Sequence, residues 1–368
     1  MSSLRSSFSL SLAALTVLTF AAGGVGGWGF TVLGLPAGWL AGAMVAVAAL
    51  AIAGVPCVVP DALRSVVFVV LGLSMGSGVK PETLARVGEW PVTMGLLVGS
   101  VVAILLATYV YQRRIAGWDR QTAYFAAIPG ALSYVMVLTL GYPKADMARV
   151  ALAQSLRVFI LVAILPMALT GGSIGSMVPD AAAEPFVGGG PLLLLVLAGA
   201  GTGWAAQRLG LPAGALTGPF FLSAILNASG LFVFTLPDWM TVPCFAALGC
   251  VIGCRFASVS PSALGRLLVV SLGAFAVGMS ISLLISAAVW AFLGIPFGQV
   301  LLAFAPGGLE AMMLLAFLLD LDPAFVAAHQ LVRYIGMVLI LPFVTSRVLG
   351  PPETGGAGRN RMDMRDSA

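Results

Sequence analysis

Two glutamine–arginine pairs stand inside otherwise apolar stretches of this 368-residue sequence: Gln154 and Arg157 in "QSLRVFILVAILP", Gln330 and Arg333 in "QLVRYIGMVLILP". A spacing of i, i+3 puts each glutamine and its arginine on one helical face. A guanidinium near the centre of a membrane helix costs ~2.5–3.5 kcal/mol on insertion scales, so it must face protein and find partners there. Two chemistries fit, and they are compatible. The arginines donate hydrogen bonds to free backbone carbonyls, or they hold a carboxylate or another anion. Glu310 adds a carboxylate at membrane depth. It either pairs with a base, Arg333 being the natural one, or serves H⁺ or Na⁺ coupling. His329, the one histidine, adjoins Gln330 and titrates near neutrality when exposed, but a packed imidazole is the preferred reading. Cys250 and Cys254 are one helical turn apart, yet no nearby histidine or second pair completes a metal site. With Cys57 and Cys244 they read as small packing residues. The sequence therefore implies no metal, no cofactor and, lacking a convincing nucleophile–base pair, no enzyme.

What could position these residues? The chain is 60% hydrophobic and 9% charged, with a mean hydropathy of +1.06. Soluble domains carry roughly 25% charged residues, and no soluble core of this size hides so much apolar surface. The apolar runs are long and do not alternate, which excludes a membrane barrel. The expected class is an all-α integral membrane protein with the lipid bilayer as its first partner. The net charge of +4 comes largely from arginines near segment ends and so concerns topology rather than nucleic acid.

Compared with itself, the chain repeats. "GLPAGWLAG" at 34–42 returns as "GLPAGALTG" at 210–218, and "VPDALRSVVFVVLGLSMG" at 59–76 as "LPDWMTVPCFAALGCVIG" at 236–253. "AIPGALSYVMVL" at 127–138 matches "FAPGGLEAMMLL" at 304–315, and the two Gln/Arg stretches match each other. The division is 1–170 as a first membrane repeat, 171–190 as a Gly/Ala-rich linker, 191–349 as a second repeat and 350–368 as a disordered cytoplasmic tail. The N-terminus resembles a signal peptide but reads as an uncleaved first helix, because the repeat needs it. Matched glycines, Gly72/Gly76 and Gly249/Gly253, predict close helix packing. "GLPAG" predicts a helix start with proline in the first turn. Asp146 and Asp322 predict caps for the helices that carry the arginines.

Each half offers six apolar stretches: near 8–25, 37–55, 63–79, 93–111, 121–141 and 147–170, then 190–206, 213–233, 240–257, 268–293, 298–319 and 325–345. The fifth of each half is interrupted, by Pro129-Gly130 and by Pro306-Gly307 followed by Gly308. Proline removes a donor and glycine adds freedom, so both should break. If all twelve stretches cross, basic residues divide nine against seven across the membrane. If the broken ones are re-entrant hairpins, the second half inverts and the division becomes fourteen inside against two outside, Lys80 and Arg86. The positive-inside rule prefers the second arrangement: two inverted-topology repeats of five transmembrane helices plus one Pro-Gly-broken hairpin each, both termini cytoplasmic. The alternative is twelve transmembrane helices, 6+6. Inverted repeats with paired broken segments are a transporter layout, with the site at the breaks near the membrane middle.

These residues resemble the AbrB family of bacterial inner-membrane proteins, in which a duplicated unit carries "GLPA-x-x-L-x-G", a "PGG-L" turn with a nearby glutamate, and "LVR" or "SLR" in the closing helix. The resemblance spans both halves, about 30–350. The first half departs from it: Ala131 replaces the second glycine, and Tyr134 stands where an acid is usual, so only the second half keeps the acid, through Glu310. The resemblance implies a bacterial inner-membrane location. Members are labelled as regulators of gene expression and, separately, as ammonia monooxygenases. One histidine cannot build a copper or di-iron site, and no basic soluble module reads as DNA-binding.

The expectation is a polytopic permease or secondary transporter of a small, anionic solute. Its binding residues would be Gln154, Arg157, Gln330, Arg333, Glu310 and the turns Pro129-Gly130 and Pro306-Gly307-Gly308. The alternative is a membrane sensor or regulator that binds a ligand without moving it. Coupling to H⁺ or Na⁺ and a homo-oligomer are left open, and nucleic acid is not a partner.

Overall fold

The computed structural model describes residues 11–79, 88, 90–130, 132–171, 189–258 and 261–352. Residues 1–10, Lys80, Arg86, Ala131, most of the 171–190 linker, the tail beyond 352 and the side chain of Ser133 lie outside that description. The described chain is helical, with no β-strand. In the first half come α1 (Leu12–Val32), α2 (Gly38–Ile52), α3 (Asp61–Ser77), α4 (Trp90–Val110, continued by a π turn Tyr111–Ile115), α5 (Arg120–Ala127), α6 (Leu132–Thr139) and α7 (Met147–Thr170). In the second come α8 (Gly189–Arg208), α9 (Gly214–Ala228), α10 (Asp238–Gly253, continued by a 3₁₀ turn Cys254–Ser258), α11 (Pro261–Leu293), α12 (Phe297–Phe304), α13 (Leu309–Leu318) and α14 (Pro323–Leu349). Every apolar stretch read from the sequence coincides with one helix or, at the Pro-Gly positions, with two. Among the described residues, seven helices are long and apolar enough to cross a membrane: α1, α4, α7, α8, α10, α11 and α14. The apolar helices α2, α9 and α13 are shorter. The protein is a membrane-type, all-helical protein.

The chain forms two compact units, and each draws on both sequence halves. One holds the described residues within Met1–Trp90, Val158–Leu264 and Leu309–Ala327; the other holds those within Pro91–Arg157, Gly265–Gly308 and Ala328–Ala368.

In the first unit, α1 packs on α2 and α8 on α9, while α3 lies against α9 and α10 against α2. The seams are built on glycine. A Cβ at Gly72 would stand 2.3 Å from the Leu216 carbonyl oxygen, and one at Gly76 2.4 Å from that of Phe220. The counterparts behave alike: Gly249 would meet the Leu40 carbonyl at 2.4 Å and Gly253 that of Met44 at 2.8 Å. No side chain fits at such distances, so the backbones approach as small residues allow in membrane packing. Ser223 ties the first seam by donating to the Leu73 carbonyl at 2.6 Å. Outward, α1 and α8 expose Val17, Val25, Trp28, Leu193 and Leu194, the kind of surface that faces hydrocarbon.

The "GLPAG" turns differ from expectation in one detail. Pro36 and Pro212 precede their helices by two residues instead of entering the first turn. The residues just before α2 and α9 are Ala37 and Ala213, held in the left-handed region at φ 53° and 48°. An L-residue with a Cβ is strained there. The turn is forced because α2 starts tight against α1: a Cβ at Gly38 would lie 2.9 Å from the Thr31 nitrogen.

The second unit contains α4 to α6, the start of α7, α11, α12 and most of α14. Its apolar cluster gathers Tyr124, Phe125 and Ile128 of the α5 end, Val135, Tyr142, and Met337 and Leu341 of α14.

Candidate functional site at the paired helix breaks

The two Pro-Gly sequences break their helices as predicted. Helix α5 stops at Ala127, and Ile128 before Pro129 turns to φ −63°, ψ 122°. Helix α12 stops at Phe304, and Ala305 before Pro306 turns to φ −57°, ψ 140°. A residue preceding proline is pushed out of the helical region, and proline has no N–H to continue the ladder. Gly130 then takes φ +87°, open to glycine alone at little cost. Each break strands the last carbonyls of a short helix, which need donors from elsewhere.

The Gln/Arg pairs supply them, in parallel fashion. Gln154 Nε2 donates to the Phe125 carbonyl at 3.1 Å and Arg157 Nη2 to that of Ile128 at 2.9 Å. Gln330 Nε2 donates to the Leu302 carbonyl at 2.9 Å, and Arg333 Nη1 to that of Ala305 at 2.6 Å. A hydroxyl completes each set: Thr108 to the Ala127 carbonyl at 3.4 Å, Ser282 to that of Phe304 at 3.2 Å. All four amide and guanidinium side chains are buried. The two turns also meet. A Cβ placed on Gly130 would lie 3.5 Å from the Gly307 carbonyl oxygen and 3.3 Å from Arg333 Nη2.

The sets then diverge. Arg333 also donates to the Gly307 carbonyl at 2.7 Å and to Gln330 Oε1, which closes a ring of bonds around the second turn. Arg157 makes one bond only among the described residues and lines a small cavity with Thr108, Gln112, Ala153, Ser271 and Pro306. Three buried polar atoms of that lining have no partner: Arg157 Nε, Gln112 Oε1 and Ser271 Oγ. The cavity has room for about one water-sized group.

Of the residues predicted for the site, Gln154, Arg157, Gln330, Arg333, Pro129, Gly130, Pro306 and Gly307 come together in this unit, with Gly308 closing the second turn. Glu310 belongs to the other unit. It is half-buried in the first turn of α13, which belongs to the first unit and packs there on α3. The terminal nitrogens of Arg333, expected to find a carboxylate, take carbonyls and an amide. His329 is buried and bonded to Thr93 at 2.8 Å. Asp146 caps α7 through the Arg149 N–H, and Asp322 caps α14 through the N–H groups of Ala324 and Phe325. The sequence reading missed Thr108, Gln112, Ser271 and Ser282.

The geometry can be set beside known proteins. A family model described as "Transition state regulatory protein AbrB" matches residues 39–349. The chain belongs to the AbrB family. It is 26% identical over 322 residues to a protein of Escherichia coli (strain K12) named "Putative regulator AbrB", covering 86% of this chain and 91% of that one. It is 27% identical over 295 residues to "Uncharacterized protein YhjN" of Bacillus subtilis (strain 168), covering 74% of this chain and 75% of that one. No solved structure matches. In this AbrB-family chain the "PGGL" turn supplies Pro306 to the cavity wall and the Gly307 carbonyl to Arg333. The arginine of "SLR", Arg157, keeps more unbonded donors than Arg333, although the Nε of each lacks a partner among the described residues.

Proposed function

We propose that this AbrB-family protein is an inner-membrane permease, a secondary transporter of a small anionic solute. It would be built as two inverted repeats of five transmembrane helices plus a broken, re-entrant segment each. The observation that carries this reading is the meeting of the two Pro-Gly turns, one from each half, beside a buried arginine that has donors to spare. Non-helical backbone at such depth persists only where protein buries it or a wet cavity accepts it, and paired breaks of this kind form transporter sites. The reciprocal seams, α3 on α9 and α10 on α2, support a two-fold relation between the halves, and the fourteen-to-two division of basic residues supports inversion with both termini cytoplasmic. Glu310, a half-buried acid just past the second turn, is the candidate for coupling to H⁺ or Na⁺. The chemistry is binding and release, with no covalent step.

Reconstitution tests the reading. Proteoliposomes holding the full chain should accumulate a small organic anion down an imposed gradient, and Arg157→Met should abolish the uptake. Binding without flux would favour the second reading, a membrane sensor, which the name of the Escherichia coli relative and the closed size of the cavity both favour. A cysteine placed at Lys144 and labelled only from the periplasmic side would overturn the inverted topology.

A further inference from the structure

We infer that one end of the second unit binds anionic phospholipid, with head-group phosphate on Arg114, Lys144 and Arg347 and acyl chains along exposed rows of α4 and α14. The inference stands apart from the transport reading and uses none of its residues.

Four helix ends are tied together there. Arg113 Nη1 donates to the Trp118 carbonyl at 2.9 Å, which fixes the end of α4 to the turn before α5. The Asp146 N–H donates to Thr122 Oγ1 at 2.8 Å and joins the starts of α7 and α5. Arg120 donates to the Val348 carbonyl, and Tyr142 to that of Gly350 at 3.0 Å, which brings in the end of α14. Six bases stand exposed on this end, Arg113, Arg114, Arg120, Lys144, Arg149 and Arg347, against two acids. Both acids are engaged. Asp119 caps α5 through the N–H groups of Gln121 and Thr122, and Asp146 caps α7 and pairs with Arg149 at 2.9 Å. Arg114, Lys144 and Arg347 have neither an acid nor a carbonyl as partner among the described residues. The charge is also one-sided. Contacts of Gly273 with Tyr111 and of Gly278 with Ile104 show α4 and α11 running antiparallel, and their other ends, 91–97 and 289–293, carry no charge.

Apolar rows lead up to the unpaired arginines. On α14, Ile335, Leu339 and Phe343 are exposed at intervals of four residues, and Arg347 is the next position. Its guanidinium carbon stands 5.6 Å over the Phe343 ring, so the charge lies directly against the row. On α4, Val98, Val102, Leu106 and Val110 repeat the spacing and end at the π turn that carries Arg114. At 1.5 Å per residue the rows from 335 to 347 and from 98 to 114 are about 18 and 24 Å long. Each exceeds the ~15 Å that one leaflet gives to hydrocarbon, half of a ~30 Å core. Bases clustered at membrane-helix ends attract anionic head groups. An acidic soluble protein or free phosphate would use the bases and leave the rows bare; a phospholipid uses both.

The test uses the full chain, stripped of lipid in detergent, with native mass spectrometry counting bound lipid. Phosphatidylglycerol should bind well below the concentration that phosphatidylcholine of the same acyl chains requires. Arg114→Gln with Arg347→Gln should weaken phosphatidylglycerol about thirtyfold, roughly fivefold per base, and leave phosphatidylcholine as it was. The control changes exposed bases of the first unit, Arg64 paired with Asp61 and Arg208 over Trp204, and should alter neither lipid. Lys144→Gln lies outside the helices and is expected to fold, so its fivefold loss decides if the double variant does not fold. Equal affinity for the two lipids, or phosphatidylglycerol affinity unchanged in the double variant or in Lys144→Gln, would overturn the assignment. So would an equal loss in Arg64→Gln with Arg208→Gln, which would mean that net charge alone acts. Displacement of the lipid by inorganic phosphate at equal concentration would remove the part played by the rows and overturn it too.

Discussion

Arg157 and Arg333 stand in similar sequence stretches, each reaching the carbonyl just before a Pro-Gly break, yet they are used differently. Arg333 is spent on structure: two carbonyls of the turn and the Gln330 amide occupy its terminal nitrogens. Arg157 gives one bond and keeps the rest beside a cavity. The first turn, with Ala131 and Ser133 in place of Gly308 and Glu310, has lost part of the family pattern, while the second keeps it. Two similar motifs need not be used alike: Arg333 bonds the turn itself, and Arg157 keeps donors beside a cavity. A buried charge satisfied by carbonyls belongs to the fold; the same charge left with donors points to a partner.

The largest effect that would break this comparison is on stability. Arg333→Ala strands two buried carbonyls and should cost about 3 kcal/mol or more, at ~1–3 kcal/mol for each unsatisfied group. Thermal unfolding in detergent should show a fall in Tm well beyond that of Arg157→Ala; equal losses would mean both arginines are structural. Next comes Gly130→Ala, which forces a Cβ into φ +87° and toward Arg333. It should cost about 2 kcal/mol and slow any uptake, since strain of ~1–3 kcal/mol is typical of such positions. In the first unit, where the halves are used alike, Gly72→Ala and Gly249→Ala should lower Tm by matching amounts, each about 1–3 kcal/mol of overpacking. Unequal losses would show that the likeness of the halves stops at sequence. The smallest change is a gain. Ala37→Gly or Ala213→Gly relieves a left-handed alanine and should stabilise by about 1 kcal/mol, read as a small rise in Tm.

Much of this was legible in the residues. An arginine or a Pro-Gly in an apolar run is costly, so its presence had to mean a buried partner or a break, and both were found. The caps at Asp146 and Asp322 followed from acids placed just before helices. Thr108, Ser282, Ser271 and Gln112 were not legible, because a hydroxyl in an apolar helix can bond its own backbone or leave it, and a glutamine beside two arginines reads as a polar helix end, so neither carries a message by type. Only the fold separates Ser282, bonded to its own helix and to Phe304, from Ser271, which faces the cavity unbonded. Thr108 and Ser282 also fall between the four repeated blocks, so self-comparison did not align them. Glu310 is near the second turn in sequence, but α13 is grouped with the other unit, a division that sequence proximity does not reveal.

The glycine seams carry a consequence for how the protein is made. Helix α3 leaves the ribosome with Gly72 and Gly76 bare, and its partner α9 begins only at Gly214. At ~5–20 residues per second that interval lasts on the order of ten seconds. During it the Gly72/Gly76 face of α3 lacks the helix that packs on it in the folded chain. Two separately encoded halves, synthesised in the same cell, would therefore find each other as subunits do, and either one alone would be left for quality control to clear.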